Sequence, residues 1–207
     1  MTQEKALLLL KSGRNIFLTG SAGTGKTYVI NQFVQHLKDA KIKVAITAST
    51  GIAATHIKGS TIHSWSGIGI KQVLSTKDLT NIKKKKYLTD QFRKVKVLII
   101  DEISMLHREQ LDSIHQILSF CLGNPQAFGG LQVVLCGDFF QLPPIGKYGE
   151  RSSDKFAFMA NSWQHADFKI CYLTEQYRQQ KNDLSSILDE IRASQISDRS
   201  INLLRKA

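Results

Sequence analysis

Eight consecutive residues, Gly20-Ser21-Ala22-Gly23-Thr24-Gly25-Lys26-Thr27, constrain this chain more than any other stretch. They match GxxxxGK[ST], directly behind the apolar run Ile16-Phe17-Leu18-Thr19. Ahead of them, Tyr28-Val29-Phe33-Val34-Leu37 has the apolar spacing of a helix. Strand, glycine-rich turn and helix in that order make a phosphate cradle. The glycines let backbone N–H groups turn inward at a helix N-terminus, where the helix dipole also favours an anion. Lys26 is then placed for the outer phosphates of a nucleotide, and the Thr27 hydroxyl for Mg²⁺. An ordinary glycine turn is the alternative, and it has no need of the strand before it.

The rest of the chain repeats the strand–helix alternation. Further strand-length apolar runs lie at Val44 to Thr47, Val97 to Ile100 and Val133 to Cys136, with a weaker one at Ile170 to Leu173. Helical spacing returns between them, as in Leu111-Ile114-Ile117-Leu118. Continuous apolar strands separated by helices predict an α/β fold, with a parallel sheet covered on both faces. Two segments stand apart. Lys71 to Lys94 is polar, holds the run Lys83 to Lys86, and is expected to be a small surface insertion. Beyond Leu173, the spacing Leu184-Ile187-Leu188-Ile191 predicts one more helix.

Two strand ends carry chemistry. Asp101-Glu102 leaves the run Val97-Leu98-Ile99-Ile100. There an aspartate is placed to hold Mg²⁺ and a glutamate to orient and deprotonate an attacking water. Asp is also a favoured helix cap, which is the bland reading of that position. Paired with the cradle, the acids point to hydrolysis rather than binding alone. The second strand end is Gly137-Asp138-Phe139-Phe140-Gln141-Leu142-Pro143-Pro144. Its prolines cannot donate backbone hydrogen bonds and have fixed φ, so they stop the strand and are expected to hold Gln141 stiffly. Phe139 and Phe140 are expected in the core.

Charge narrows the partners. With 28 basic against 17 acidic residues, the chain carries +11, which favours polyanions such as nucleic acid. Cys121, Cys136 and Cys171 are dispersed and form no CxxC, so buried reduced thiols are expected, and the six histidines form no metal-binding pattern. The longest early apolar run, Ala6 to Leu10, is too short for a membrane span and lacks a signal-peptide layout. The expectation is a monomeric, non-secreted protein without membrane association, cytoplasmic in a bacterial-type cell or nuclear in a eukaryotic one.

Five stretches together resemble the Pif-one helicases, close to the RecD-like branch of superfamily one. They are GSAGTGKT, TASTGIAATHIKGSTIHSWSGIG, VLIIDEISML, FGGLQVVLCGDFFQLPP and LTEQYRQ, in the family's order along the chain. The resemblance implies the first of the family's two RecA-like motor domains, a parallel sheet sandwiched by helices, driven by ATP with Mg²⁺. Complete, such a motor would travel five-prime to three-prime on single-stranded DNA. It further implies that Gln3 reads the adenine edge and that Thr27 and Asp101 hold Mg²⁺. Glu102 would be the catalytic base, Gln141 the contact to the γ-phosphate, and Arg178 the stabiliser of charge on the transferring phosphate. The stretch after the second strand would face DNA. Thr50 and Gly51 open a helix there, and Thr61, His63, Ser64 and Trp65 add hydroxyls and a stacking surface, although a tryptophan alone is more often core. The Lys71 to Lys94 segment would match the family's small strand-separating insertion. Where the family has basic residues before its FGG turn, residues 119–127 have none, so no polyanion contact carries over there. A P-loop ATPase that switches a protein partner is the competing reading, and it has no need of TIHSW or GDFFQLPP.

Overall fold

A computed structural model of the chain describes residues 1–71, 73–176 and 183–206. Six strands form one sheet: β1 (Ile16–Gly20), β2 (Val44–Ala48), β3 (Ser60–Thr61), β4 (Val97–Asp101), β5 (Gln132–Cys136) and β6 (Lys169–Leu173). They lie in the order β3-β2-β4-β5-β1-β6, and every pairing is parallel. The strand period of two sorts the apolar runs onto both faces. Phe17, Leu98, Ile100, Val133 and Leu135 enter one core, while Ile16, Leu18, Val97, Ile99, Val134 and Cys136 enter the other. A sheet buried on both sides explains why these strands read as unbroken apolar runs rather than alternating ones.

Helices α1 (Gln3–Lys11) and α2 (Lys26–Asp39) cover the second face, with Ala6, Leu10, Val29, Ile30 and Phe33 buried. The first face lies under a larger set: α4 (Ile62–Ser66), α5 (Thr76–Lys84), α6 (Lys86–Lys94), α7 (Arg108–Leu122) and α8 (Asn161–His165). Short α3 (Gly51–His56) follows β2, and α9 (Asp183–Arg192) and α10 (Asp198–Lys206) follow β6. The three cysteines are free and buried. Among the described residues, no helix is long and apolar enough to cross a membrane.

Residues 71–94 are not the surface insertion that their composition suggests. The segment folds as α5 and α6, which pack on α7 and place Ile82, Leu88 and Phe92 in the main core at 5%, 1% and 0% exposure. Its lysines point outward around that apolar stripe. Lys83 itself lies over the Phe120 ring and donates to the Phe120 carbonyl at 3.2 Å. The segment is the crossover between β3 and β4, and its charge run is the solvated side of two core helices.

The order β4-β5-β1 sets three carboxyl-terminal strand ends side by side. Sheets of this kind bind their ligands at that edge, and the sequence placed its glycine-rich turn, its acid pair and its glutamine there.

Candidate nucleotide cleft and nucleic-acid face

At the end of β1 the backbone turns under tight spacing. A Cβ at Gly20 would lie 2.7 Å from the Leu173 carbonyl oxygen and 2.9 Å from Thr24 Oγ1, so only glycine fits against β6. Gly25 takes a left-handed φ of 83° immediately before α2, a conformation that costs glycine little. The loop closes on its own lysine, whose Nζ donates to the carbonyls of Gly20 at 2.7 Å and Ser21 at 3.1 Å. Thr24 Oγ1 donates to the Ser21 carbonyl at 2.9 Å, and Gln3 Nε2 donates to the Thr24 carbonyl at 3.0 Å. The cleft above has a volume of about 590 Å³. Gln3, Glu102 and Gln141 line it together with Ala22, Gly23, Gly25, Lys26 and Thr27.

Asp101 closes β4, and its Oδ1 accepts the Glu102 N–H at 2.9 Å. Behind it, Cys136 is fully buried, and burial pushes its thiol's pKa far up, with the Asp101 carboxylate pushing the same way. Glu102 sits at φ 53°, in the left-handed region that non-glycine residues seldom occupy. Its carbonyl accepts from Ser49 Oγ at 2.7 Å, a bond that ties the acid pair to the segment after β2. Burial raises the Glu102 pKa above 4.5, and the Asp101 and Asp138 carboxylates push the same way against the opposing pull of Lys26.

Gln141 is exposed, and Asp138 holds both its backbone and its side chain. The Asp138 carbonyl accepts the Gln141 N–H at 2.9 Å, Asp138 Oδ1 accepts the Phe140 N–H at 3.1 Å, and Asp138 Oδ2 accepts Gln141 Nε2 at 3.2 Å. Pro143 is exposed and only Pro144 is buried. The aromatic pair divides as well. Phe139 packs among Phe17, Phe156, Phe158 and Trp163, whereas Phe140 is 68% exposed beneath the Arg192 guanidinium. The expected core place for Phe140 is therefore incorrect, because the turn that Asp138 holds points consecutive side chains opposite ways. Arg178 lies outside the described residues.

The segment after β2 caps two short helices. Thr50 Oγ1 accepts the Ala53 N–H at 3.3 Å to open α3, and Thr61 Oγ1 accepts the Ser64 N–H at 3.2 Å to open α4. Gly51 and Ser64 are exposed. The His63 ring nitrogen Nε2 meets Gln110 Nε2 at 2.9 Å, and burial lowers its pKa, so the imidazole is neutral near pH 7. Trp65 is no stacking platform in this structure. It is 9% exposed, its ring centroid is 5.1 Å from that of Phe92, and Gln91 Nε2 donates to its carbonyl at 2.8 Å. Phe92 of α6 packs against that ring and keeps it in the core.

The family model for the PIF1-like helicase matches residues 3–200. The chain belongs to the PIF1-like helicase family. The ATP-dependent DNA helicase Pif1 of Psychrobacter sp. (strain PRwf-1) is 55% identical over 199 residues, which cover 93% of this chain and 30% of that protein. The ATP-dependent DNA helicase RRM3 of Saccharomyces cerevisiae is 44% identical over 200 residues, covering 95% of this chain and 28% of that protein. Among solved structures, the Pif1 helicase of Candida albicans superposes with a TM-score of 0.87 at 37% identity. It matches over 96% of this chain and 45% of that one. Bacteroides Pif1 in complex with ADP-AlF3 and single-stranded DNA superposes with a TM-score of 0.84 at 34% identity, over 98% of this chain and 48% of that one. The chain thus spans under a third of those two curated relatives and about half of those solved chains.

In this PIF1-like helicase chain, the sequence reading overlooked two residues of the site. Asp138 is quoted inside GDFFQLPP, and an acid at the end of a buried strand was signal enough to ask for its partner. That partner, Arg192, lies 54 residues further on, and no spacing rule reaches it.

Proposed function

We propose that this chain is the nucleotide-binding and hydrolysing motor domain of an ATP-dependent DNA helicase, which steps five-prime to three-prime along single-stranded DNA when complete. One observation carries the reading. A single cleft gathers the lysine of the glycine-rich turn, the acid after β4 and the glutamine after β5, three groups remote in sequence. The Bacteroides structures, in which a Pif1 is bound to ADP-AlF3 with single-stranded DNA and to single-stranded DNA alone, support the choice of ligands.

The residues divide the work as follows. Lys26 exchanges its two carbonyl contacts for phosphate oxygens, and the N–H groups of the turn surround the same anion. Gln3, already hydrogen-bonded to the turn, carries the amide chemistry suited to an adenine edge. Thr27 and Asp101 suit Mg²⁺, since a hydroxyl and a carboxylate are hard oxygen donors that leave places for phosphate and water. When bound, Mg²⁺ would neutralise charge on the outer phosphates. Glu102 takes the proton of the attacking water, and its raised pKa makes the carboxylate a stronger base than an ordinary one. Gln141 passes from Asp138 to the terminal phosphate. Arg178 is assigned charge stabilisation on the transferring phosphate through the family pattern. Thr50, Gly51, Thr61 and Ser64 face the DNA, and the Ser49–Glu102 bond joins that face to the acid pair.

Titration with a fluorescent ATP analogue tests the cradle. Lys26→Ala is expected to weaken binding at least tenfold. Unchanged affinity removes the assignment. A DNA-stimulated ATPase rate in the protein supports a motor on DNA, whereas indifference to DNA favours the switch on a protein partner.

A further inference from the structure

A two-pronged ion pair joins α9 to the strand end after β5. Arg192 Nη1 donates to Asp138 Oδ1 at 2.9 Å and Nη2 to Oδ2 at 2.6 Å. Asp138 is 1% exposed, and the Arg192 side chain 20%. Burial alone would raise the Asp138 pKa, but the Arg192 fork and the turn's N–H groups hold it below the ordinary carboxylate value. The guanidinium carbon lies 4.8 Å from the Phe140 ring centroid, so the fork is also stacked. β5 neighbours β1 in the sheet, so the fork sits at the strand end beside the one that feeds the phosphate turn.

Asp138 spends the rest of its hydrogen-bonding capacity on Phe140 and Gln141. One carboxylate therefore stands between the arginine of α9 and the amide that faces the terminal phosphate. Its charge reaches the cleft, since it acts on Glu102. An unpaired carboxylate there would repel a triphosphate and keep the Gln141 amide to itself.

We infer that Arg192 is a positioning residue for terminal-phosphate sensing: by pairing with Asp138 it frees Gln141 to exchange its amide hydrogen bond onto the γ-phosphate, and so couples α9 to the nucleotide state. This rests on the cleft reading above and assigns Arg192 no contact with nucleotide. Lysine supplies the charge but not the two-pronged fork, so Arg192→Lys is expected to be a poor substitute.

Affinities for ADP and for a non-hydrolysable ATP analogue, measured by calorimetry on the purified chain, test the inference. Arg192→Lys is expected to leave ADP affinity within about twofold and to reduce the preference for the ATP analogue by about tenfold, the scale of one hydrogen bond to a charged group. Gln141→Ala is expected to lose the same preference, and the double variant to lose no more than either alone. A purely structural arginine would lower melting temperature and affect both nucleotides alike. Should Arg192→Lys fail to fold, Arg192→Gln keeps hydrogen-bond donors but removes the charge that offsets Asp138, with the same loss expected. Wild-type preference in Arg192→Lys or Arg192→Gln, beside a loss in Gln141→Ala, overturns the inference. Preference retained in Gln141→Ala overturns it too, since nothing then needs positioning. Lys26→Ala in the same series separates that outcome from failure of the cleft itself, which shows as unchanged binding of both nucleotides.

Discussion

Glu102 combines a left-handed backbone with a half-buried carboxylate between Asp101 and Asp138, and Lys26 offsets only part of their effect. A residue kept in that conformation beside like charges costs stability, which is tolerated where the chemistry needs it. Because its folded pKa lies above the ordinary 4.5, folding favours the protonated acid. The ionised form therefore weakens the fold above the folded pKa, and the penalty fades as pH drops to the unfolded value. Glu102→Gln is accordingly expected to melt higher than wild type at about pH 8, with the difference vanishing below about pH 4.5. The same variant should bind ATP normally and turn over on the order of 10²- to 10⁴-fold more slowly. Thermal scans across pH, together with single-turnover rates, check both halves. A lower melting point for Glu102→Gln at alkaline pH contradicts the burial argument.

Elements were legible in the sequence where their pattern is saturated and illegible where charge masks them. All five apolar runs became strands with ends shifted by at most one residue at each end, because both faces of a parallel sheet demand unbroken apolar sequence. α5 and α6 went unread because the Lys83 to Lys86 run dominates their composition, while the buried set is only Ile82, Leu88, Thr89 and Phe92. Trp65 was ambiguous for a related reason. Whether a lone tryptophan faces a base or a core depends on the helix opposite, and here that helix is α6, through Phe92. The cleft's lining was legible at Lys26, Thr27, Glu102 and Gln141, since each sits at a strand end or turn. The Asp138–Arg192 fork was not, because tertiary approach alone creates it. The packing of α6 makes a prediction at its own scale. Phe92 is fully buried, so Phe92→Ala is expected to cost about 3–5 kcal/mol in denaturant unfolding. A change under about 1 kcal/mol, as for an exposed site, would mean that α6 is an appendage after all.

The whole molecule carries +11, and its proposed DNA face is the short stretch from α3 to α4 at one edge of the sheet. A net positive field brings a polyanion close without reading its sequence. Affinity for single-stranded DNA should then come from phosphate neutralisation and fall with salt, with log–log slope about −0.7 for each phosphate engaged. The few donors between Thr50 and Ser64 allow only a small number of phosphates, so the slope should be shallow but clearly non-zero. Translocation asks for more than this face, because stepping requires two gripping surfaces that move relative to one another as nucleotide turns over. The chain matches about half of the solved Pif1 chains, and its described residues form one sheet with one cleft lined by the glycine-rich turn. On its own it is expected to bind nucleotide, hydrolyse it slowly and separate no strands. A forked duplex with a five-prime tail, incubated with the 207-residue chain and ATP, should remain annealed while phosphate release stays measurable and Lys26→Ala abolishes it. Catalytic strand separation by this chain would place a second gripping surface within it, and a salt-independent DNA affinity would remove phosphate contact as the basis of the interaction.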